Sequence, residues 1–270
     1  MHKRRGLEVT IVLLVSSLLG LPVSAQQEGP AERGREIAEE ADRRDRGFGD
    51  YQARLEMTLE DRRGRETVRE LDLLVLELPD GQEQSLVTFE TPRDIRGTAL
   101  LTYSYEEQEN DQWLYLPALR RTKRIAATGR SSPFMGSEFA YEDLVRSSTS
   151  QYDYLFLGEE ELDGTPCFVL ERYARYEGTG YSKERLWIDT AEYRVFQIDY
   201  WDLRDRELKT LSLSGYERYL ENTWRASEAR MLNHRTRGGD PSPVARLSVP
   251  DRSDGEPVYA GGDGACELGL

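Results

Sequence analysis

The chain has 270 residues, and its 36 Lys and Arg against 50 Asp and Glu give a net charge of −14. Such a balance lacks the basic footprint that binding to phosphates needs, which excludes nucleic-acid readers. It equally disfavours lying flat on anionic lipid.

Residues 1–25 read as a secretory signal peptide: Lys3, Arg4 and Arg5 form the positive start, Val9 to Leu21 the apolar run, and Val23-Ser24-Ala25 a small-residue cleavage site. The apolar run is short of the roughly 20 residues that span a bilayer. Cleavage after Ala25 would leave 33 basic against 49 acidic residues, a net charge of −16. An exported, periplasmic protein follows, and its remaining length fits one large β-domain over 26–237.

Residues 30–46, PAERGREIAEEADRRDR, predict a helix. Pro30 suits a first turn, Glu39/Arg43 and Glu40/Arg44 are spaced i,i+4, and Gly47 stands where a terminating glycine belongs. Its apolar stripe of Ile37, Ala38 and Ala41 is narrow, enough to rest on a sheet and too thin for a bundle.

From Asp50 the period becomes two. Tyr51, Ala53, Leu55, Met57 and Leu59 alternate with Gln52, Arg54, Glu56, Thr58 and Glu60, a half-buried strand. Further strands are expected at 66–78, 84–90, 98–105, 152–158, 166–173, 184–189, 207–220 and 224–233, with a hairpin turning about Asp189-Thr190-Ala191. Many short strands with turn signals predict an antiparallel barrel or sandwich. Residues 238–270 hold seven Gly and four Pro, a composition of disorder. That stretch reads as a flexible tail or as the product of a shifted reading frame.

Between these strands lies the most informative stretch, 111–144. An aromatic-aliphatic seed, Trp113 to Leu116, is followed by Arg120, Arg121, Lys123 and Arg124, four cations in five positions. Then comes a Gly/Ser/Pro-broken segment that still carries Phe134, Met135, Phe139 and Tyr141. Apolar side chains in such a loop need something to cover. The loop either folds over its own core or forms the lid or rim of a cavity.

Chemistry-bearing residues are few. After Ala25 the only histidine is His234, without neighbours that would complete a triad or a metal site. Cys167 reads as a buried apolar filler, although an exported protein could pair it with Cys266. No glycine-rich phosphate loop follows a strand. Neither an enzyme nor a bound cofactor or metal is expected.

The motif WLYLPALRRTKRIA followed by FMGSEFAYEDL resembles the outer-membrane lipoprotein-sorting-like proteins, relatives of the periplasmic lipoprotein carrier. The resemblance runs from about Ala31 to His234. It implies an antiparallel half-open β-barrel with helices covering the opening, a helix such as 30–46 among them. It also implies a binding protein for a lipid or a lipoprotein acyl chain, working with an inner-membrane transporter of the resistance-nodulation-division type and expected to be a monomer. A lipid-sensing regulatory protein is the second reading and a hydrolase the third. On the leading reading Tyr51, Leu55, Met57, Leu59, Tyr103, Trp113 and Tyr115 face an apolar cavity, with Phe134, Met135, Phe139 and Tyr141 at its lid. The same inward face could instead be a filled core. Arg120, Arg121, Lys123 and Arg124 form either a charged edge strand or a docking patch near the mouth for an acidic headgroup or partner.

Overall fold

The computed structural model of the chain describes residues 29–79, 81–219, 223–235 and 243–249. The expected signal peptide and Cys266 lie outside these residues.

Helix α1 (Pro30–Asp45) begins with proline in its first turn and ends at Arg46. Gly47 follows at φ +87°, the left-handed step a terminating glycine makes cheaply. The Glu77 carboxylate accepts the N–H groups of Gly47 and Gly49, fixing the passage into the sheet. Glu40 takes both Arg43 and Arg44 as partners.

The sheet is built from β1 (Asp50–Glu60), β2 (Glu66–Glu77), β3 (Glu83–Phe89), β4 (Ala99–Ser104), β5 (Asp111–Leu116), β6 (Arg121–Arg124), β7 (Tyr152–Leu162), β8 (Thr165–Ala174), β9 (Tyr181–Asp189), β10 (Val195–Asp202), β11 (Glu207–Tyr219), β12 (Thr223–Asn233) and β13 (Val244–Ser248). Every pairing is antiparallel, in the order β6-β5-β4-β3-β2-β1-β13-β12-β11-β10-β9-β8-β7. The two outer edges, β6 and β7, do not meet, so the half-barrel stays open.

β13 corrects the expected tail. Residues 244–248 lie within 238–270, yet they are the seam that joins β1 to β12, with five residue pairs on each side. Ala245 and Leu247 point inward, between Met57 and Leu59 on one strand and Ala229 and Met231 on the other. Gly/Pro-rich composition governs the neighbourhood, but two open strand edges supply the hydrogen bonds that hold VARLS extended. The rest of 238–270 falls outside the described residues, apart from Pro243 and Val249.

Two apolar cores occupy the concave side. One lies on β7–β12 and takes in Ile37 and Ala38 of α1 with Phe139. The other lies on β1–β5 and takes in Phe134 and Tyr141. Leu59, Leu144 and Leu247 pack against both. Cys167 is fully buried and unpaired on the convex side with Val169 and Trp187.

Candidate ligand cavity, strap and docking edge

Residues 125–151 form a strap of short 3-10 turns that crosses the concave side. Its aromatic side chains are core. Phe134 is 1% exposed and packs against Phe89 and Tyr141, with ring centroids at 5.6 and 5.7 Å. Phe139 is buried in the other core, and Met135, at φ +49°, packs beside Phe134. Thus the expected lid residues Phe134, Met135, Phe139 and Tyr141 plug the half-barrel; none of them lines the cavity described below.

The strap is held by buried charge. Asp143, its side chain 1% exposed, meets Lys209 Nζ at 2.5 Å and accepts from Tyr181 Oη at 2.7 Å and from the Ala140 N–H at 2.6 Å. The ammonium stands 5.1 Å from the centroids of Tyr181 and of Tyr200, a cation–π arrangement in a desolvated site. Glu142 accepts the Gly180 N–H at 2.9 Å and Tyr176 Oη at 3.3 Å. Burial pushes its carboxyl up to about 7, against the Gly180 hydrogen bond. Asn233 donates to Glu138 at 2.6 Å.

Beneath α1 a cavity of about 560 Å3 opens toward the end of the sheet where β1, β3, β10 and β12 begin. Its wall is apolar where Ala38 and Ala41 of α1 face Ile188, Leu213 and Ala226. Toward the mouth it becomes aromatic and charged, with Tyr51, Tyr216 and Trp224 beside Glu83, Arg146 and Arg225. Arg225 pairs with Asp45 and lies over the rings of Phe48 and Tyr51 at 4.7 and 5.4 Å. Arg194 lies 4.6 Å from the Trp224 ring and pairs with Asp189 at 2.9 Å. Burial pushes the Glu83 carboxyl up to about 7, with Arg146 opposing and Asp45 adding to the rise.

At this mouth a ring of four charges fastens α1. Arg46 reaches Asp42 at 2.5 Å and Glu106 at 2.6 Å, while Arg146 of the strap pairs with the same Asp42 and, at 3.2 Å, with Glu106. Each guanidinium thus touches both carboxylates. Helix, strap and the β4–β5 loop meet there.

Of the expected cavity residues only Tyr51 lines this space. Leu55, Met57 and Leu59 do face inward, but they are packed into the β1–β5 core, Met57 at 1% exposure. Leu59 also borders a second cavity of about 640 Å3 at the opposite end, with Arg62, Arg65 and Glu138. Tyr103, Trp113 and Tyr115 point the other way. On β4 and β5 the buried positions are Leu100, Thr102, Ser104, Gln112 and Leu114, so the alternate residues lie on the convex face. There Trp113 stacks edge-on to Tyr103 at 5.3 Å, and Tyr115 is 39% exposed. The strap fills the concave side of these strands, so small and polar residues suffice beneath it.

The cationic run is an edge strand. Arg121, Thr122, Lys123 and Arg124 make up β6, all exposed, and Arg120 sits in the preceding turn at φ +47°. Among the described residues only Arg124 of this run has a carboxylate partner, Asp111. The β5–β6 turn lies at the end of the sheet away from the cavity mouth, so the cluster does not ring that opening as expected. His234 is exposed just beyond β12, with Nε2 2.8 Å from Thr210 Oγ1.

An open antiparallel half-barrel with a helix laid over its concave side defines the lipoprotein-carrier-like fold. Comparison with known proteins places the chain more closely. A family model described as an uncharacterized protein matches residues 81–239. A solved domain from Vibrio parahaemolyticus, named for outer membrane lipoprotein sorting, is 40% identical, covering 82% of this chain and 92% of that one at a TM-score of 0.78. A DUF1329 family protein from Desulfovibrio piger is 29% identical over 82% of this chain and 94% of that one, at 0.73. A LolA superfamily protein from Nitrosomonas europaea, 21% identical over 82% and 95%, shares the fold at 0.61. No curated protein matches the chain. The chain belongs to the outer-membrane lipoprotein-sorting-like family.

Proposed function

We propose that the chain is a periplasmic carrier that shelters a lipid or a lipoprotein acyl chain beneath α1 and exchanges it with an inner-membrane transporter of the resistance-nodulation-division type. The observation that carries this reading is the cavity under α1, with an apolar stretch of wall at Ala38, Ala41, Ile188, Leu213 and Ala226 and paired arginines at its mouth. Each methylene taken from water contributes about 0.8 kcal/mol, so ten of them contribute about 8 kcal/mol gross. An acyl chain on Leu213, Ile188 and Ala226 needs no specific polar contact, while the mouth can face a polar headgroup. The charge ring at Asp42, Arg46, Glu106 and Arg146 is a place where α1 could be fastened after loading and released before transfer.

Mass spectrometry of the organic extract tests the reading. About one lipid per purified chain is expected, and Leu213→Glu should lower that load about tenfold, because a charge in the apolar stretch of the cavity wall opposes an apolar ligand. Trp113→Glu on the convex face should leave the load unchanged. A chain that purifies empty and takes up no fluorescent fatty acid would refute the carrier reading.

A further inference from the structure

The sheet ends in two edge strands, β6 and β7, each with one side unpaired by another strand, and they are treated differently. α1 packs on β7 so closely that a Cβ at Gly34 would lie 2.9 Å from the Phe156 nitrogen. Nothing among the described residues covers β6, whose four residues are all exposed. Its register also fixes which backbone groups are free. The Ile125 N–H donates to the Gln112 carbonyl at 2.8 Å. By the alternation of an antiparallel ladder, Lys123 and Arg121 then exchange hydrogen bonds with Leu114 and Leu116. The N–H and C=O groups of Thr122 and Arg124 point away from the sheet.

Charge singles out the same edge. Arg120, Arg121 and Lys123 have no carboxylate partner among the described residues. The exposed Arg93 and Arg96 stand on the neighbouring β3–β4 loop, where Gly97 approaches Pro117 of the β5–β6 turn. The turn also leaves Leu119 64% exposed. On a chain of net charge −14, a basic edge with open hydrogen-bonding groups is a focused feature.

We propose that β6 is a docking edge for an extended acidic segment of a partner protein, which adds to the sheet as a further strand. The inference rests on the carrier reading, since such a hand-over needs a partner to dock. Main-chain pairing supplies affinity in this mode, and alternate side chains supply specificity. Residues of the added strand on the face of Arg121 and Lys123 sit beside those cations, so acidic residues belong at every second position. The intervening residues share the face of Trp113 and Tyr115, which suits apolar side chains. Pairing two β6 edges would set like charges side by side, which disfavours a second copy as the occupant. An anionic membrane would meet the charge but would leave the outward N–H and C=O groups unused.

The test is fluorescence anisotropy of a short labelled peptide of alternating Glu and Val, titrated with the full mature chain at low salt. Saturable binding is expected, with Lys in place of Glu abolishing it. Arg121→Glu with Lys123→Glu should weaken binding about tenfold or more. Thr122→Pro keeps the charges, removes one outward N–H at an edge position where proline is tolerated, and should weaken it equally. N-methylation of the peptide at alternate residues makes the same test without altering the protein. Undiminished binding with both Thr122→Pro and the N-methylated peptides would overturn strand addition. So would no peptide binding, whether the basic edge proves instead to govern cosedimentation with phosphatidylcholine–phosphatidylglycerol vesicles or self-association of the chain. Lipid load, measured on the same variants, is expected to stay at the unmodified level, and that readout separates this inference from the carrier reading.

Discussion

Ending the chain after Ser242 removes β13 and tests whether the half-barrel depends on its seam. The five residue pairs on each side correspond to about ten hydrogen bonds. At a net 0.5–1.5 kcal/mol each they contribute about 5–15 kcal/mol, the size of a whole domain's stability. The gap cannot simply close. β1 and β12 are each antiparallel to β13 and therefore parallel to each other, so direct contact would require a new ladder. The truncated chain is expected to lose cooperative unfolding in guanidinium, followed by near-UV circular dichroism. Leu247→Ala, which removes packing shared by both cores, should cost about 2–3 kcal/mol, toward the low end for a leucine only half-buried. Arg246→Ala, on the outer face, should stay within about 0.5 kcal/mol. If the truncated chain unfolds cooperatively within about 1 kcal/mol of the full chain, the seam assignment is wrong.

Lys209→Met should destabilise by about 3–5 kcal/mol in chemical denaturation, because it leaves the buried Asp143 carboxylate without its cation; adding Asp143→Leu should recover part of the loss. Gly34→Ala should destabilise by about 1–3 kcal/mol although alanine is the better helix former, since its Cβ would press on the β7 backbone; a thermal melt above the unmodified protein would contradict the close approach. Glu83, its carboxyl pushed up to about 7, favours the folded state as the neutral acid. That contribution is full below the ordinary carboxylate range and fades as pH rises toward 7. Glu83→Gln should therefore match the unmodified protein near pH 4 and exceed it near pH 8 by up to about 3 kcal/mol, measured by denaturation at both pH values.

Strands whose two faces differ were legible in the sequence. β1 alternates cleanly, and its inward residues Tyr51, Ala53, Leu55, Met57 and Leu59 are inward in the fold. β4 and β5 carry large side chains at both parities, and there aromatic content pointed to the wrong face. What decides between Leu101-Tyr103-Trp113 and Leu100-Thr102-Leu114 is the strap, a segment remote from β4 that brings its own Phe134 and Tyr141 to the concave side. β13 was hidden for a related reason. Five residues among glycines and prolines have little propensity of their own, and the two edges that hold them belong to β1 and β12.

The family motif shows the same dependence on distant partners. Its Phe-Met-Gly-Ser-Glu-Phe-Ala-Tyr-Glu-Asp-Leu stretch has the composition of a lid, yet Asp143 and Glu142 anchor it through Lys209, Tyr181, Gly180 and Tyr176. A carboxylate read alone is a surface group; the buried ammonium that changes its meaning lies 66 residues on. The motif therefore specifies how the concave side is divided: a filled half under the strap and an open half under α1. On the carrier reading, binding falls to the open half, whose wall comes from Ala38 and Ala41 on the helix and Ile188, Leu213 and Ala226 on three strands. None of these residues is unusual in its own segment. Substitutions there should alter what is held while the strap stays anchored, whereas substitutions in the motif should alter whether the half-barrel stays folded.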